Sequence, residues 1–231
     1  MENPHALRSK GWAGLAFVVL IVVSVFLSGA PPDAGAGASA VQAYLTAHQH
    51  GLLIAGWLSF PTMAFFLWFV VGMGAYLRRM ATHDEGLPTY ALVSGVYTTV
   101  VAFVAALLST ALAYLPAAGL GPAALQFLWA LNTLANGAFL AMGLAVFIFA
   151  CSHSMRRHNS GAAWVVWLGY LAAAGEAVMS FGMFYPSGVT TNNPIAGLVL
   201  GFALFAIWTI GASLTLIGQG SRQLATSLTP S

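Results

Sequence analysis

Glu176 is the only ionisable side chain that falls deep within an apolar run of this chain. It stands about nine residues, some 13 Å at helical rise, from the C-terminal end of an apolar stretch at 162–185. An ionised carboxylate at such depth in hydrocarbon costs at least ~2.5–3.5 kcal/mol, so a residue of this kind is by default a functional candidate. The chemistry open to it is proton exchange, or acid and base work on a bound molecule. The bland alternative is a neutral acid that hydrogen-bonds across helices and holds them together.

Asn132 lies at a similar depth in a neighbouring stretch running the opposite way, and Asn136 follows one helical turn later on the same face. A carboxamide can both donate to a carboxylate and accept from its protonated form. Ser59 and Thr62 occupy comparable depths beside Pro61, where a helix loses a backbone hydrogen bond and frees a carbonyl. These residues define a candidate polar pocket in one leaflet: Glu176, Asn132, Asn136, Ser59 and Thr62. The competing reading is that Ser, Thr and Asn bond to their own or a neighbouring helix, as is common in membranes.

His48 and His50 sit at the outer mouth of this level. Two apart, they point to different faces of a helix, unlike a metal-binding i,i+4 pair, and no third ligand lies near. They read as solvated interfacial residues, with a proton or cation entry point as the alternative. No metal site and no cofactor is expected. The methionines and aromatics read as packing within a bundle rather than as a ligand channel.

Six apolar stretches position these residues, at about 11–30, 51–77, 90–115, 124–150, 162–185 and 195–218. Each exceeds or approaches the ~20 residues that cross a ~30 Å hydrocarbon core as a helix. Lipid leaves backbone groups no partner but each other, so the spans are helices. The ten-residue alternating segments of a barrel are absent. The expected architecture is all-α: a compact bundle of six transmembrane helices spanning residues 1–218. Ser39 and Gln42 resemble a capping box opening a short amphipathic helix at about 40–50, lying on the outer interface. A polar tail, 219–231, is expected to be disordered.

Composition supports the same class. Apolar residues make up 59% of the 231 and charged residues only 5%, against about a quarter in a soluble domain. Twelve formal charges cannot clothe a soluble core. The basic residues also have a pattern: Arg8 and Lys10, Arg78 and Arg79, Arg156 and Arg157, and Arg222 all fall on one side of the six spans, the two arginine pairs in short polar loops expected at 78–88 and 151–161. The positive-inside bias assigns that side, with both termini, to the cytoplasm. Trp12, Trp164 and Trp167 fall near the same boundary, as interfacial anchors do. Arg8 and Lys10 ahead of an apolar run could also begin a cleaved signal peptide. The run from Gly11 to Leu27 exceeds the usual hydrophobic region of one, which favours a retained helix. Six arginines to one lysine, with abundant Ala and Gly, suggest a GC-rich bacterial genome and hence the bacterial plasma membrane.

Several functions lack their residues. No basic stripe with interleaved aromatics supports nucleic-acid binding. Cys151 is the single cysteine, which excludes an internal disulfide framework. No lysine lies within a span to form a retinal Schiff base. No mid-membrane histidines face each other to hold a haem. Three readings remain. The first is a non-catalytic accessory protein, packed on a membrane partner or holding a small apolar, lipid-like molecule. The second is a small transporter or proton-linked carrier built on Glu176. The third is an enzyme on a lipid-like substrate with Glu176 as acid or base. One buried carboxyl without an evident second group favours the first, since acid–base work generally needs partners with separated properties.

Overall fold

The computed structural model describes residues 4–33, 35–81, 86–114, 119–184 and 199–228. Helices account for nearly all of them, and no strand occurs among the described residues. Six helices are long and apolar enough to cross a membrane. We number them α1 (Pro4–Ser28), α2 (Ala38–Met80), α3 (Leu87–Tyr114), α4 (Pro122–Arg157), α5 (Ala163–Ser180) and α6 (Leu204–Leu228). The all-α bundle expected from the apolar runs is therefore present. Leu115, Tyr185 and residues 195–198, at the edges of the expected spans, lie outside the described residues, as do His83 and 229–231.

Each helix packs against the next in sequence, and α6 closes on α1. The result is a ring of alternating up and down helices. The outward faces carry large apolar side chains in the open, among them Phe26 at 83% and Trp57 at 69% exposure. Water-facing surfaces do not tolerate contiguous apolar area on this scale, whereas acyl chains do.

The ring is filled unevenly. Towards the end that bears the basic residues, an aromatic plug occupies its centre. Phe17 and Phe66 rings lie 4.7 Å apart, Phe66 meets Phe147 at 5.9 Å, and Phe147 meets Trp208 edge-on at 5.8 Å. Edge-to-face contacts of this kind add to the stabilisation given by area burial alone. Gly169 of α5 allows the close approach of α4 and α6 here: a Cβ at that position would run into Ser152 Oγ and lie 2.6 Å from Trp208 Nε1.

Four sequence expectations change. Residues 40–50 are not a separate interfacial helix. They are the first turns of α2, which runs unbroken for 43 residues. Val41 and Leu45 are buried within a second apolar cluster with Leu112, Leu125 and Trp129, so these turns pack rather than float. Nor does Ser39 cap the helix. Its N-cap is Gly37, with no side-chain hydrogen bond. The basic pairs stand in the last turns of α2 and α4 instead of in loops, where cations complement the carbonyl end of the helix dipole. The tail from Gln219 is helical as far as Leu228.

The α1–α2 connection is tied down at the other end. Tyr44 Oη donates to Ser28 O at 2.8 Å, and Trp129 Nε1 donates to Asp33 O at 3.1 Å. Gly29 turns the chain with φ +67°, a region that favours glycine, and the His48 ring fills the space beside it.

Candidate functional site

A cavity of about 490 Å³ opens in the half of the ring away from the plug, between α1, α2, α3 and α4. It begins under the α1–α2 connection at Gly29, Pro31 and Pro32 and ends on Ile21, Met63 and Leu140. Those last three pack against the aromatic core, so the plug forms the cavity floor. Its volume is that of a small-molecule site. Most of its wall is apolar, and none of its described lining residues carries a charge.

Four of the five residues singled out by depth line this cavity together: Ser59, Thr62, Asn132 and Asn136. The hydroxyls are largely committed to their own helix. Ser59 Oγ donates to Gly56 O and Thr62 Oγ1 to Leu58 O, each at 2.6 Å. Both carbonyls lie just before Pro61, which sits inside the continuous helix. Such back-bonding keeps polar atoms satisfied in an apolar wall.

The amides form a network that crosses helices. Ser109 Oγ of α3 donates to Asn132 Oδ1 at 2.8 Å, and Asn136 Nδ2 donates to the same oxygen at 3.0 Å. Asn136 Nδ2 also reaches the backbone carbonyl of Asn132 at 3.1 Å. A backbone carbonyl only accepts, which fixes the Asn136 amide orientation and, through it, that of Asn132. Both lone pairs of Asn132 Oδ1 are then occupied. Its Nδ2, on a side chain 7% exposed, has no hydrogen-bond partner among the described residues. Asn136 lies within a π-helical stretch, Ala135–Phe139, that interrupts α4; such stretches occur frequently at functional sites.

Glu176 does not join them. It is 2% exposed and buried in the bundle, yet it is not among the residues lining the cavity, and no described hydrogen bond links it to Asn132. Helix α5 packs chiefly on α4 and α6, whereas the amides of α4 turn to Ser109 of α3. Helix α5 also ends at Ser180, continuing as a tight turn over Phe181–Phe184, so Glu176 lies about 6 Å from the end of its α-helix. Its Oε1 is buried without a hydrogen-bond partner among the described residues. Two π-helical stretches, Ala135–Phe139 and Val199–Ala203, pack near α5 at this end, and Gly175 is pressed against Leu200 O.

His48 and His50 stay outside the cavity. The His48 ring stacks obliquely on Tyr44 at 4.9 Å, its Nδ1 3.2 Å from Tyr44 O, while His50 is exposed. Among the described residues, no three His, Cys, Asp or Glu side chains are grouped to hold a metal ion.

Sequence reasoning did not assign Ser109, Trp129, Ser24 or Ser28 to the site, although all line it. The depth argument that selected Asn132 applies equally to Ser109 on the antiparallel α3. It could have been found by pairing polar residues level by level. Trp129 carries no such signal, since a tryptophan near a helix end reads as an interfacial anchor.

No family model, no curated protein and no solved structure matches the chain. Fold and site thus define a class, a bundle with six helices long and apolar enough to span a membrane and an apolar cavity carrying an amide network. What it does must be argued from the cavity itself.

Proposed function

We propose that this is a non-catalytic membrane protein that binds a small apolar molecule in the cavity between α1, α2, α3 and α4. The observation that carries the reading is the cavity: about 490 Å³, apolar in most of its wall, with a few polar groups held in a fixed network. That combination is how small-molecule sites are built, with apolar surface for affinity and sparse polar groups for orientation. Catalysis has less support, because the one buried carboxyl lies outside the cavity.

The same proposal places the protein in a bacterial plasma membrane with both termini in the cytoplasm. Support comes from the side on which all seven basic residues fall. The cavity then opens towards the outer leaflet. The surrounding bilayer is the nearest reservoir of apolar ligand, and a membrane partner could receive it.

Mass spectrometry of the full chain purified in mild detergent tests the binding reading. A lipid-like molecule should accompany the wild type and be lost from Ala106→Trp, which fills the cavity from α3. Equal amounts on both folded proteins would sink it.

A second reading, a proton-linked carrier, is favoured by one specific observation, the buried and unpartnered Oε1 of Glu176. Proton-dependent uptake in vesicles, abolished by Glu176→Gln, would support it.

A further inference from the structure

The shape and polarity of the cavity constrain its occupant further. Along α4 its lining runs from Trp129 to Leu140, about 16 Å at helical rise. Along α2 it runs further, from Tyr44 to Met63, about 28 Å. An elongated, chain-like molecule suits that shape better than a compact one.

Charge is excluded on separate grounds. No described lining residue could neutralise an ionic headgroup, and an unpaired charge in an apolar site is strongly disfavoured. The polar requirement is equally specific. Ser109 and Asn136 fill both acceptor positions of Asn132 Oδ1. Asn132 therefore has only its Nδ2 hydrogens to offer, and this side chain is more than nine-tenths buried in the cavity wall. The amide nitrogen has no acceptor among the described residues and borders the cavity, so a ligand that brings an acceptor gains a hydrogen bond there that the apolar wall does not supply. The hydroxyls of Ser59, Thr62 and Thr133 donate to backbone carbonyls, leaving Asn132 as the conspicuous donor at this level.

We infer that the ligand is a neutral, lipid-like molecule bearing a carbonyl-type acceptor, an ester or ketone oxygen, which accepts from Asn132 Nδ2. The inference rests on the binding function proposed above and adds the chemical class. Trp129 forms part of the wall beside the amide, so a brominated ligand would quench its fluorescence. The π turn at Ala135–Phe139 and the cross-helix bond from Ser109 hold the donor in place before a ligand arrives, and this preorganisation limits the ordering cost of binding.

The test uses the full chain in detergent and two probes: a brominated fatty methyl ester and the brominated alkane of equal chain length. Quenching is read as the difference between protein with Trp129 and Trp129→Phe, which removes the contribution of the other tryptophans. The ester should bind more tightly than the alkane. Asn132→Leu should weaken ester binding roughly three- to tenfold, as expected for one neutral hydrogen bond, and leave the alkane unchanged. Unchanged alkane binding also certifies that the variant is folded. Should Asn132→Leu fail to fold, Ser109→Ala takes its place, since it frees the amide to rotate and should weaken ester binding alone. Ester and alkane affinities that stay equal in the wild type, or move together in the folded variant, overturn the ligand class and leave the binding function standing. Failure of Ala106→Trp to reduce either probe would instead remove the binding function itself.

Discussion

Ser109 of α3 donates a 2.8 Å hydrogen bond to the side-chain oxygen of Asn132 on α4, the same oxygen that accepts from Asn136 Nδ2, and together the two bonds leave the amide nitrogen as the free end. It is the shorter of two described side-chain hydrogen bonds that join these helices at this depth, the other running from Asn136 Nδ2 to Ser109 Oγ at 3.4 Å. Removing it by Ser109→Ala should cost about 1 kcal/mol of bundle stability, the usual size of such bonds between membrane helices. Reversible unfolding in mixed micelles would measure it. A loss near zero would mean that the amide oxygen finds another donor.

The aromatic plug should be far more sensitive. Phe66 is 1% exposed and its ring contacts those of Phe17, Phe69, Phe147 and Phe205. Phe66→Ala should destabilise the bundle by about 3–5 kcal/mol, combining lost contacts with a void. Because Met63 and Leu140 link plug and cavity floor, the void should also deepen the cavity. Binding of a longer alkane probe than the wild type accepts would register that.

Gly169 offers a test of close approach. Gly169→Ala places a methyl group against Ser152 and Trp208 and should destabilise by roughly 1–3 kcal/mol through overpacking. Adding Ser152→Ala removes the nearest atom and should recover part of the loss, so the two changes will not be additive. Strict additivity in a double-mutant cycle would show that the clash is relieved elsewhere.

Glu176→Gln separates the carboxyl from the cavity. Since Glu176 lines none of it, probe binding in the variant should equal that of the wild type within error. A clear change in ester or alkane affinity would tie the carboxyl to the site after all.

The proposed orientation is open to thiol labelling. Cys151 is buried, and Cys151→Ala provides a background without thiols. Gly35→Cys, in the exposed α1–α2 connection, should react with a membrane-impermeant reagent on intact cells. Ser221→Cys, exposed on α6, should react only after lysis. The reverse pattern would invert the bundle.

Much of the architecture could be read from the chain, and the reasons are physical. Hydrocarbon thickness sets a length for every span, so the six apolar runs fell close to the six helices. Depth along a helix follows from rise per residue, which is why Ser59, Thr62, Asn132 and Asn136 can be grouped by counting, and all four line one cavity. Rotation about the helix axis is a different matter. Nothing in the local sequence says whether Asn132 turns towards α3 or α5, because packing and the bond from Ser109 decide it. Glu176 was matched to Asn132 by depth alone, and the two did not meet. The early turns of α2 misled for another reason. His48, Gln49, His50 and Gly51 look like the end of an element, yet Gln49 donates to Ala113 O at 3.0 Å and Gly51 lies against the Leu27 backbone. Tertiary partners carry the helix through a polar stretch that propensity alone would break.

The uneven filling of the ring bears on how long a guest stays and by which door it leaves. A bundle stoppered by Phe17, Phe66, Phe147 and Trp208 at one end of its cavity is a cul-de-sac. Whatever enters beneath the α1–α2 connection or between helices must return by the same way, and its path carries it back to the leaflet it came from. If the proposed binding function holds, such a dead end suits retention of a ligand within one leaflet. Passage from face to face would require four interlocked rings to swing aside together.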